Sequence, residues 1–333
     1  MKVTILGAGS WGTTLALILS GNRHQVTCWS FDSEDVAQIL QNRENKKFLP
    51  GISIPEEISF TTDLDQSLAG SEIVVTAIPS HAVRPVLEEV KGKELSRLLW
   101  VNVAKGIEND SLMRVSEVIA EVGGVPAENI AVLSGPSHAE EVSRGIPTAI
   151  VSASTSKSTA TLVQNLFMTE VFRVYANLDI IGVELGGALK NIIAVAAGIC
   201  DGAAYGDNTK AALITRGLVE INRIGVKLGA VPDTFAGLSG MGDLIVTCMS
   251  RHSRNRYVGE QIGRGRNLQD ILNEMVMVAE GVKTTASAYE LSKREKVDMP
   301  ITEQVYLTLF ENKSPVRAMQ DLMTRQSKIE DWG

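Results

Sequence analysis

The sequence predicts an α/β protein in which an N-terminal doubly wound parallel sheet is followed by an all-α C-terminal domain. The first half alternates apolar, strand-like runs with helical stretches, an order typical of a parallel sheet covered by helices. After about residue 180 the strand signal fades and helical segments follow one another. We therefore expect two domains, 1–180 and 181–333, and 333 residues are enough for each to bury its own core.

The individual elements follow from the hydrophobic pattern and from the Gly, Pro and Asn residues between them. Strands are predicted at 2–6, 25–29, 73–78, 98–103, 130–133 and 148–152. Helices of the first domain are predicted at 11–21, 33–41, 81–90 and 111–122. Those of the second are predicted at 184–200, 208–228, 232–236, 254–263, 267–275, 283–293, 301–310 and 315–321. The polar, proline-containing segment 43–60 is predicted to be a loop.

The first strand continues directly into a glycine turn formed by Gly7, Gly9 and Gly12. A helical stretch and a second strand that ends at Asp32 come next, with the acidic residue about 20 positions beyond the last glycine. This order indicates the dinucleotide site of a Rossmann-like domain. Gly7 would permit the tight turn, Gly9 the approach of backbone to a pyrophosphate, and Gly12 close packing of helix on strand. The N–H groups of a helix beginning near Ser10 would then bind the phosphates.

Composition and charge exclude several classes of protein. The chain is 44% hydrophobic and 21% charged, with a net charge of −7, which argues against nucleic-acid binding. Cys28, Cys200 and Cys248 are widely spaced and have no zinc-site spacing, so we expect reduced thiols in a cytoplasmic protein. Because the chain opens with a core strand, we expect no signal peptide.

The most apolar stretch, around 192–199, is expected to be a buried core helix and not a membrane span. Lys190 and Asp201 interrupt it, which makes the uninterrupted run too short to cross a bilayer.

Lys190 lies in the middle of that apolar stretch and is the strongest single candidate for chemistry. An unpaired buried lysine is unfavourable, so a solvated side chain is the ordinary interpretation. Here the apolar neighbours leave little path to water except through a cleft. A desolvated lysine has a lowered pKa and can act as a general acid or base near neutral pH.

Other candidates follow strands or begin helices. Lys105 follows a predicted strand, on the side where open α/β sheets bind ligands, although a solvated loop lysine would look the same. Gly135 turns the chain after another strand, and Ser137 resembles a helix N-cap whose backbone N–H groups could meet an anion. A plain capped helix is an equally good interpretation.

Further polar residues are found in the second half of the chain. Asp243 follows a run of glycines and could orient Lys190 or bind a substrate hydroxyl. The run Ser253, Arg254, Asn255 and Arg256 suits a phosphate, because guanidinium groups and helix-end N–H groups lie together there. Glu280 could accept a hydrogen bond from a ribose or an amide. For each of these polar residues, the alternative is a side chain that is simply solvated or that complements the dipole of its helix.

The histidines argue for a lysine-based mechanism. His24, His81, His138 and His252 are scattered, and they form neither a metal-ligand pattern nor a Ser/His/Asp arrangement. We therefore expect no metal ion and no catalytic histidine.

The motifs taken together resemble the NAD(P)-dependent glycerol-3-phosphate dehydrogenases of the bacterial type over essentially the full length. The segments that carry the resemblance are GAGSWGT, AKGIE, LSGPS, GVELGGALKNIIA, KAALITRG, GLSGMGDL, SRNR and VAEGVKT. The resemblance implies interconversion of dihydroxyacetone phosphate and sn-glycerol 3-phosphate, chiefly reduction of the ketone for glycerophospholipid synthesis. It further implies a small phosphorylated substrate and no nucleic-acid or membrane partner. The apolar faces of the helical domain make a homodimer the expected assembly.

The resemblance also implies roles for matching residues. Lys190 would exchange the proton with the substrate oxygen, with Lys105 and Asp243 beside it as further catalytic residues. The substrate would be bound by Lys105, Gly135, Ser137, Lys190, Asp243, Ser253, Arg254 and Asn255, with Arg254 and Asn255 at the phosphate. The cofactor would contact Gly7, Gly9, Ser10, Trp11, Gly12, Phe31, Asp32, Phe48, Lys105, Ala139, Arg254, Val278 and Glu280.

The residues around Asp32 predict the choice between NAD and NADP. Family members often have Arg or His where this chain has Phe31, and such a residue could meet the 2′-phosphate of NADP. Asp32 would repel that phosphate and bind a free ribose 2′-hydroxyl instead. We therefore predict a preference for NADH over NADPH.

Three alternatives are weighed against this interpretation. A 3-hydroxyacid or ketopantoate-type reductase would share the first domain but would not need the SRNR cluster. A nucleotide-sugar dehydrogenase would need a catalytic cysteine, and Cys200 has no activating base beside it in the sequence. A redox-sensing protein that binds NADH as a signal would have no reason for two lysines and an aspartate to converge.

Overall fold

The computed structural model describes residues 1–327, 329 and 330. Residues 328 and 331–333, at the end of the predicted second domain, lie outside the described residues. The chain divides into two compact units. The first comprises Met1–Ala104 and Val115–Ile180, and the second comprises Lys105–Arg114 and the chain from Ile181 onward. Lys105–Arg114 lie within the predicted domain 1–180 but belong to the second unit, so a single cut in the chain does not describe these two units.

The first unit is built on an eight-stranded sheet, which confirms the predicted doubly wound fold. The strands along the described chain are β1 (Lys2–Leu6), β2 (Gln25–Trp29), β3 (Glu44–Asn45), β4 (Leu49–Ser53), β5 (Ser59–Thr61), β6 (Ile73–Thr76), β7 (Leu99–Asn102), β8 (Ile130–Ser134), β9 (Thr148–Ala153) and β10 (Phe172–Asn177). The order across the sheet is β10-β9-β8-β7-β6-β1-β2-β5, while β3 and β4 form a separate antiparallel pair. Neighbouring strands of the large sheet are parallel except β8 and β9, which are antiparallel.

The chain changes direction across the sheet at β1. From β1 it runs outward through β2 to β5, and then returns to β6 on the other side of β1. The crevice at the carboxyl ends of such a pair is where open α/β sheets bind their ligands. The glycine turn that follows β1 therefore lies at the expected ligand position.

Helices pack on the large sheet and bury its strands. They are α1 (Ser10–Gly21), α2 (Ser33–Asn42), α3 (Leu64–Leu68), α4 (Val83–Glu89), α5 (Val115–Gly123), α6 (Ala139–Val142) and α7 (Lys157–Phe167). The central strands are apolar on both faces, as a parallel sheet covered on both sides requires. Val3, Ile5, Ile73 and Val75 are all fully buried in the core of this unit.

The prediction that 43–60 is a loop was wrong. The segment holds β3, β4 and the first two residues of β5. Pro50 does not prevent strand formation there, because it is exposed within a two-stranded ladder, where a missing N–H donor is tolerated.

The second unit is helical. Its helices are α8 (Ile180–Gly202), α9 (Asp207–Lys227), α10 (Pro232–Phe235), α11 (Asp243–Met249), α12 (Arg254–Gly263), α13 (Leu268–Glu274), α14 (Glu280–Glu295), α15 (Pro300–Phe310) and α16 (Pro315–Met323). A π-helical turn, Leu238–Gly242, leads directly into α11. The predicted all-α character of this half is confirmed, but α11, which carries Asp243, was not among the predicted helices.

Helix α8 forms the centre of the second unit. It has 23 residues and is long and apolar enough by itself to cross a membrane, so the argument that its apolar run is too short was wrong. Burial is the better reason to interpret α8 as a core helix, because 94% of its most apolar 18-residue stretch is buried inside the protein. A helix that is apolar all round is the expected core of a large helical unit.

Glycines allow α8 and α12 to pack backbone against backbone. A Cβ atom at Gly198 would overlap the carbonyl oxygen of Arg256, and one at Gly202 would overlap that of Glu260. In the other direction, Gly259 leaves room for the carbonyl oxygen of Val195. Small residues four apart on both helices thus fix the two helices at a very short separation.

Candidate active site

Two lysines share one buried carboxylate in the second unit. The Nζ atom of Lys190, on α8, lies 2.7 Å from Oδ1 of Asp243, and Nζ of Lys105 lies 2.7 Å from Oδ2. The Asp243 side chain is 1% exposed, that of Lys190 is 7% exposed and that of Lys105 is 20% exposed. Three of the predicted catalytic residues therefore lie together, although 138 positions separate Lys105 from Asp243 in the chain.

Thr247 completes the surroundings of the buried ammonium. Lys190 donates a second hydrogen bond, of 2.6 Å, to the Thr247 hydroxyl, which in turn donates to the backbone oxygen of Asp243 at 2.6 Å. Thr247 was not among the residues predicted from the sequence. Its signal was its position four residues after Asp243, which places both side chains on one face of α11.

Burial gives Lys190 an unusual proton affinity. Desolvation lowers the pKa of its ammonium from 10.5 to about 8, and the charge of Lys105 acts in the same direction. Asp243 opposes this shift by attracting the charged form. Lys190 can therefore gain and lose a proton near neutral pH, as general acid–base chemistry requires.

Glycines also explain how Asp243 reaches Lys190. Gly186 lies one helical turn before Lys190 on α8, and a Cβ atom there would be 2.6 Å from the backbone oxygen of Ser239. Gly240 allows the π-helical turn Leu238–Gly242 to pack tightly against the backbone of Phe235. The run of glycines before Asp243 thus brings the start of α11 against α8.

A chain of directed hydrogen bonds holds the Lys105 backbone in this unit. The Gly281 N–H donates to Asn255 Oδ1 (2.9 Å), and Asn255 Nδ2 donates to Asn191 Oδ1 (2.9 Å). Asn191 Nδ2 then donates to the Lys105 carbonyl oxygen (3.0 Å). Asn191, the residue after Lys190, therefore connects α8 to the lysine-bearing segment.

The SRNR segment separates into different structural roles. The Ser253 hydroxyl caps α12 by accepting from the Arg256 N–H at 3.2 Å. Arg256 pairs with Asp201, whereas Arg254 is exposed and donates to the Val278 carbonyl oxygen at 2.9 Å. Arg254 is therefore the guanidinium of this segment whose position suits an incoming anion.

The first unit contains the glycine turn. Gly7 has a φ of +116°, and a Cβ atom there would be 2.6 Å from the Ala77 carbonyl oxygen, so only glycine fits without strain. Gly12 packs against the Gly7 carbonyl in the same way. Among the residues that the structure describes, a Cβ at Gly9 would meet nothing within 4 Å, and no side chain caps the α1 N-terminus there. Open space beside uncapped N–H groups at Ser10 fits a dinucleotide pyrophosphate.

Aromatic and acidic residues surround this turn. Phe31 is 83% exposed, and Phe48 is half-buried. Within the described residues, the buried Nε1 of Trp11 has no hydrogen-bond partner. Asp32 stands at the end of β2 and accepts two backbone N–H groups at the start of α2. These features agree with space for a ligand beside α1, so the residues present fit a nicotinamide dinucleotide.

Ser137 is not a helix N-cap, contrary to the prediction. The cap position of α6 belongs to His138, and the Ser137 hydroxyl donates to the Gly135 carbonyl at 3.0 Å. Gly135 has a φ of +148° and lies against Ile150, which turns the chain at the end of β8. Ala139 follows as the first residue of α6.

The remaining predicted cofactor residues lie at the start of α14, and Cys200, considered above as a nucleophile, lies in the core. Glu280 begins that helix, and Val278 precedes it as an exposed residue. Burial raises the pKa of the Cys200 thiol to about 11, which keeps it from acting as a thiolate nucleophile. The structure therefore gives no support to a cysteine-based dehydrogenase.

The doubly wound sheet, the glycine turn and the buried lysine define a nicotinamide-dependent dehydrogenase. The family model described as the NAD-dependent glycerol-3-phosphate dehydrogenase N-terminus matches residues 2–160, and the corresponding C-terminus model matches residues 179–320. The chain belongs to the NAD-dependent glycerol-3-phosphate dehydrogenase family. This assignment decides against the reductase and nucleotide-sugar dehydrogenase alternatives.

Individual relatives cover nearly the whole chain. A glycerol-3-phosphate dehydrogenase (NAD(P)+) of Chlorobium phaeobacteroides (strain BS1) is 55% identical over 331 residues, covering 99% of both chains. One of Thermoanaerobacter sp. (strain X514) is 54% identical over 333 residues, covering all of both chains. The crystal structure of glycerol-3-phosphate dehydrogenase from Coxiella burnetii aligns with a TM-score of 0.93 at 38% identity, covering 97% of this chain and 99% of that one.

Proposed function

We propose that this protein interconverts dihydroxyacetone phosphate and sn-glycerol 3-phosphate with NAD(P)H, and that Lys190 transfers the proton. The observation that carries the proposal is the pair of lysines on Asp243, with the pKa of Lys190 lowered to about 8. The names of the full-length relatives support the substrate and the cofactor.

The second unit supplies the acid–base chemistry. When bound, NADH or NADPH supplies a hydride for the carbonyl carbon. The Lys190 ammonium donates its proton to the carbonyl oxygen, which becomes the hydroxyl, and the lysine is left as a neutral amine that recovers a proton from solvent. Burial favours this donation, because a buried site destabilises the charged ammonium relative to the neutral amine that is left.

Asp243 and Lys105 prepare the same step. Asp243 holds both ammonium groups in place and keeps Lys190 charged before reaction, while the positive charge of Lys105 stabilises the developing alkoxide. Arg254 binds the substrate phosphate, far from the reacting carbon, which orients the substrate. Ser253, Asn255, Gly135 and Ser137 shape the rest of the substrate site.

The first unit binds the cofactor. The backbone around Gly7, Gly9, Ser10 and Gly12 receives the pyrophosphate, and Asp32 receives the adenosine ribose. The other contacts proposed for the cofactor come from Trp11, Phe31, Phe48, Lys105, Ala139, Arg254, Val278 and Glu280. Asp32 favours NADH over NADPH.

In the cell, the proposed reaction supplies sn-glycerol 3-phosphate to glycerophospholipid synthesis in the cytoplasm, and the proposed assembly is a homodimer. Sedimentation equilibrium at several protein concentrations tests the dimer: a single monomer mass at all of them rejects it.

The decisive experiment follows the absorbance of NADH and NADPH with dihydroxyacetone phosphate, beside unphosphorylated dihydroxyacetone. Rapid turnover of the phosphorylated ketone alone supports the proposal. Equal turnover of both ketones rejects the phosphate site, and cofactor binding without turnover of either supports the redox-sensing alternative.

A further inference from the structure

The Asp32 carboxylate is divided between two tasks. Its Oδ1 atom accepts the backbone N–H groups of Glu34 (3.0 Å) and Asp35 (3.1 Å), which caps α2. Only Oδ2 remains for a ribose hydroxyl, and it lies 3.6 Å from the Nζ atom of Lys47. The acidic residue expected to reject a 2′-phosphate therefore has a positive charge beside it.

Lys47 is held in this position from two sides. Its Nζ atom lies 2.9 Å from both carboxylate oxygens of Asp35, and 5.0 Å from the centre of the Phe48 ring. The side chain remains 42% exposed, so its ammonium can still meet a ligand. The neighbouring Lys46 instead donates to Asn42 Oδ1 at 3.2 Å.

The chemistry of the two cofactors differs only at the adenosine ribose. A 2′-hydroxyl can donate to Asp32 Oδ2, whereas a 2′-phosphate cannot donate and is repelled by the carboxylate. An ammonium beside that carboxylate reduces the repulsion and donates to the phosphate oxygens.

We propose that Lys47 is a specificity-determining residue that lets the site accept the 2′-phosphate of NADP next to Asp32. The inference rests on the proposed cofactor site. It makes Asp32 the source of the NADH preference and Lys47 the reason why NADPH is still used. Glu34 and Asp35 lie nearby as acidic groups, and the Asp35–Lys47 pair offsets one of these charges.

The test measures binding without turnover. Adenosine 2′,5′-bisphosphate and adenosine 5′-monophosphate are titrated into the wild-type protein, Lys47→Met and the control Lys46→Met by isothermal calorimetry. We expect Lys47→Met to weaken the bisphosphate by about tenfold or more, the effect of one charge-assisted hydrogen bond. The monophosphate should change less than about threefold, and Lys46→Met should bind both probes as the wild type does.

The outcomes separate the inference from the proposed function. Wild-type protein that binds neither probe rejects the proposed cofactor site itself. Binding of both probes by the wild type, with an equal loss or no loss of both in Lys47→Met, overturns the role of Lys47 alone. Lys47→Arg, which keeps the charge, should retain the bisphosphate affinity.

Discussion

The Nζ atom of Lys190 lies 2.7 Å from Oδ1 of Asp243, inside a helical core where both side chains are almost fully buried. Desolvation and the nearby Lys105 lower the pKa of Lys190, while Asp243 raises it. The balance leaves an ammonium that is charged at neutral pH and is nevertheless a stronger acid than an ordinary lysine.

Replacing Lys190 by alanine should remove the proton donor. We expect kcat for ketone reduction to fall by roughly 10²–10⁴-fold, the range for a general acid, with little change in NADH affinity because the cofactor contacts lie elsewhere. Steady-state kinetics and fluorescence titration of NADH measure the two effects. Turnover close to that of the wild type would exclude Lys190 as the acid.

The two directions of the reaction should respond oppositely to pH. Reduction needs the Lys190 ammonium, so its kcat should be constant at low pH and fall as the pH rises through about 8. Oxidation of glycerol 3-phosphate needs the neutral amine, so its kcat should rise towards pH 8 and then level off. Profiles of kcat against pH in both directions test this, and parallel profiles would contradict it.

Arg254→Ala should weaken binding of the phosphorylated substrate. A charge-assisted hydrogen bond contributes about 1.5–3 kcal/mol, so KM for dihydroxyacetone phosphate should rise by roughly ten- to a hundredfold. Arg251, three residues earlier and also exposed, is the matched control. If Arg251→Ala raised KM as much as Arg254→Ala does, general surface charge and not a defined phosphate contact would explain the effect.

Gly198→Ala tests the backbone contact between α8 and α12. The new methyl group would overlap the Arg256 carbonyl oxygen, and overpacking of this kind costs about 1–3 kcal/mol or more. Gly21→Ala near the end of α1 is the control, because a Cβ there meets no atom of the described part of the chain within 4 Å. Thermal unfolding should show a clear loss for the first variant and none for the second. An unchanged melting temperature for Gly198→Ala would mean that the two helices can move apart freely.

The sequence predicts the strands and helices well where their patterns are long and regular. Strands β1 and β2 have the predicted bounds, because a glycine turn and a helix separate them clearly in the sequence. Strand β10 was missed although its buried and exposed residues alternate as in a half-buried strand, because only Phe172 and Val174 are buried and the apolar signal is short. Strand β5, with three residues, is too short to produce a pattern.

The site was most clearly predictable where one residue conflicts with its neighbours. Lys190 interrupts an apolar helix, and that conflict identifies it from the sequence alone. Thr247 and Asn191 are ordinary polar residues whose importance depends on contacts between distant segments. Ser137 was assigned wrongly because a serine before a helix is a frequent cap, whereas here the helix begins one residue later and the hydroxyl turns back to Gly135.

The close contact between α8 and α12 has a consequence for the size of the substrate. Lys190 stands on α8 and Arg254 begins α12, so glycine packing sets a constant length between the proton donor and the proposed phosphate contact. In a three-carbon ketone phosphate, the few bonds between the carbonyl carbon and the phosphorus limit how far apart these two groups can lie. We therefore expect the second unit to select substrates by this distance. A ketone phosphate that is longer by one carbon should bind through its phosphate with its carbonyl out of reach of Lys190.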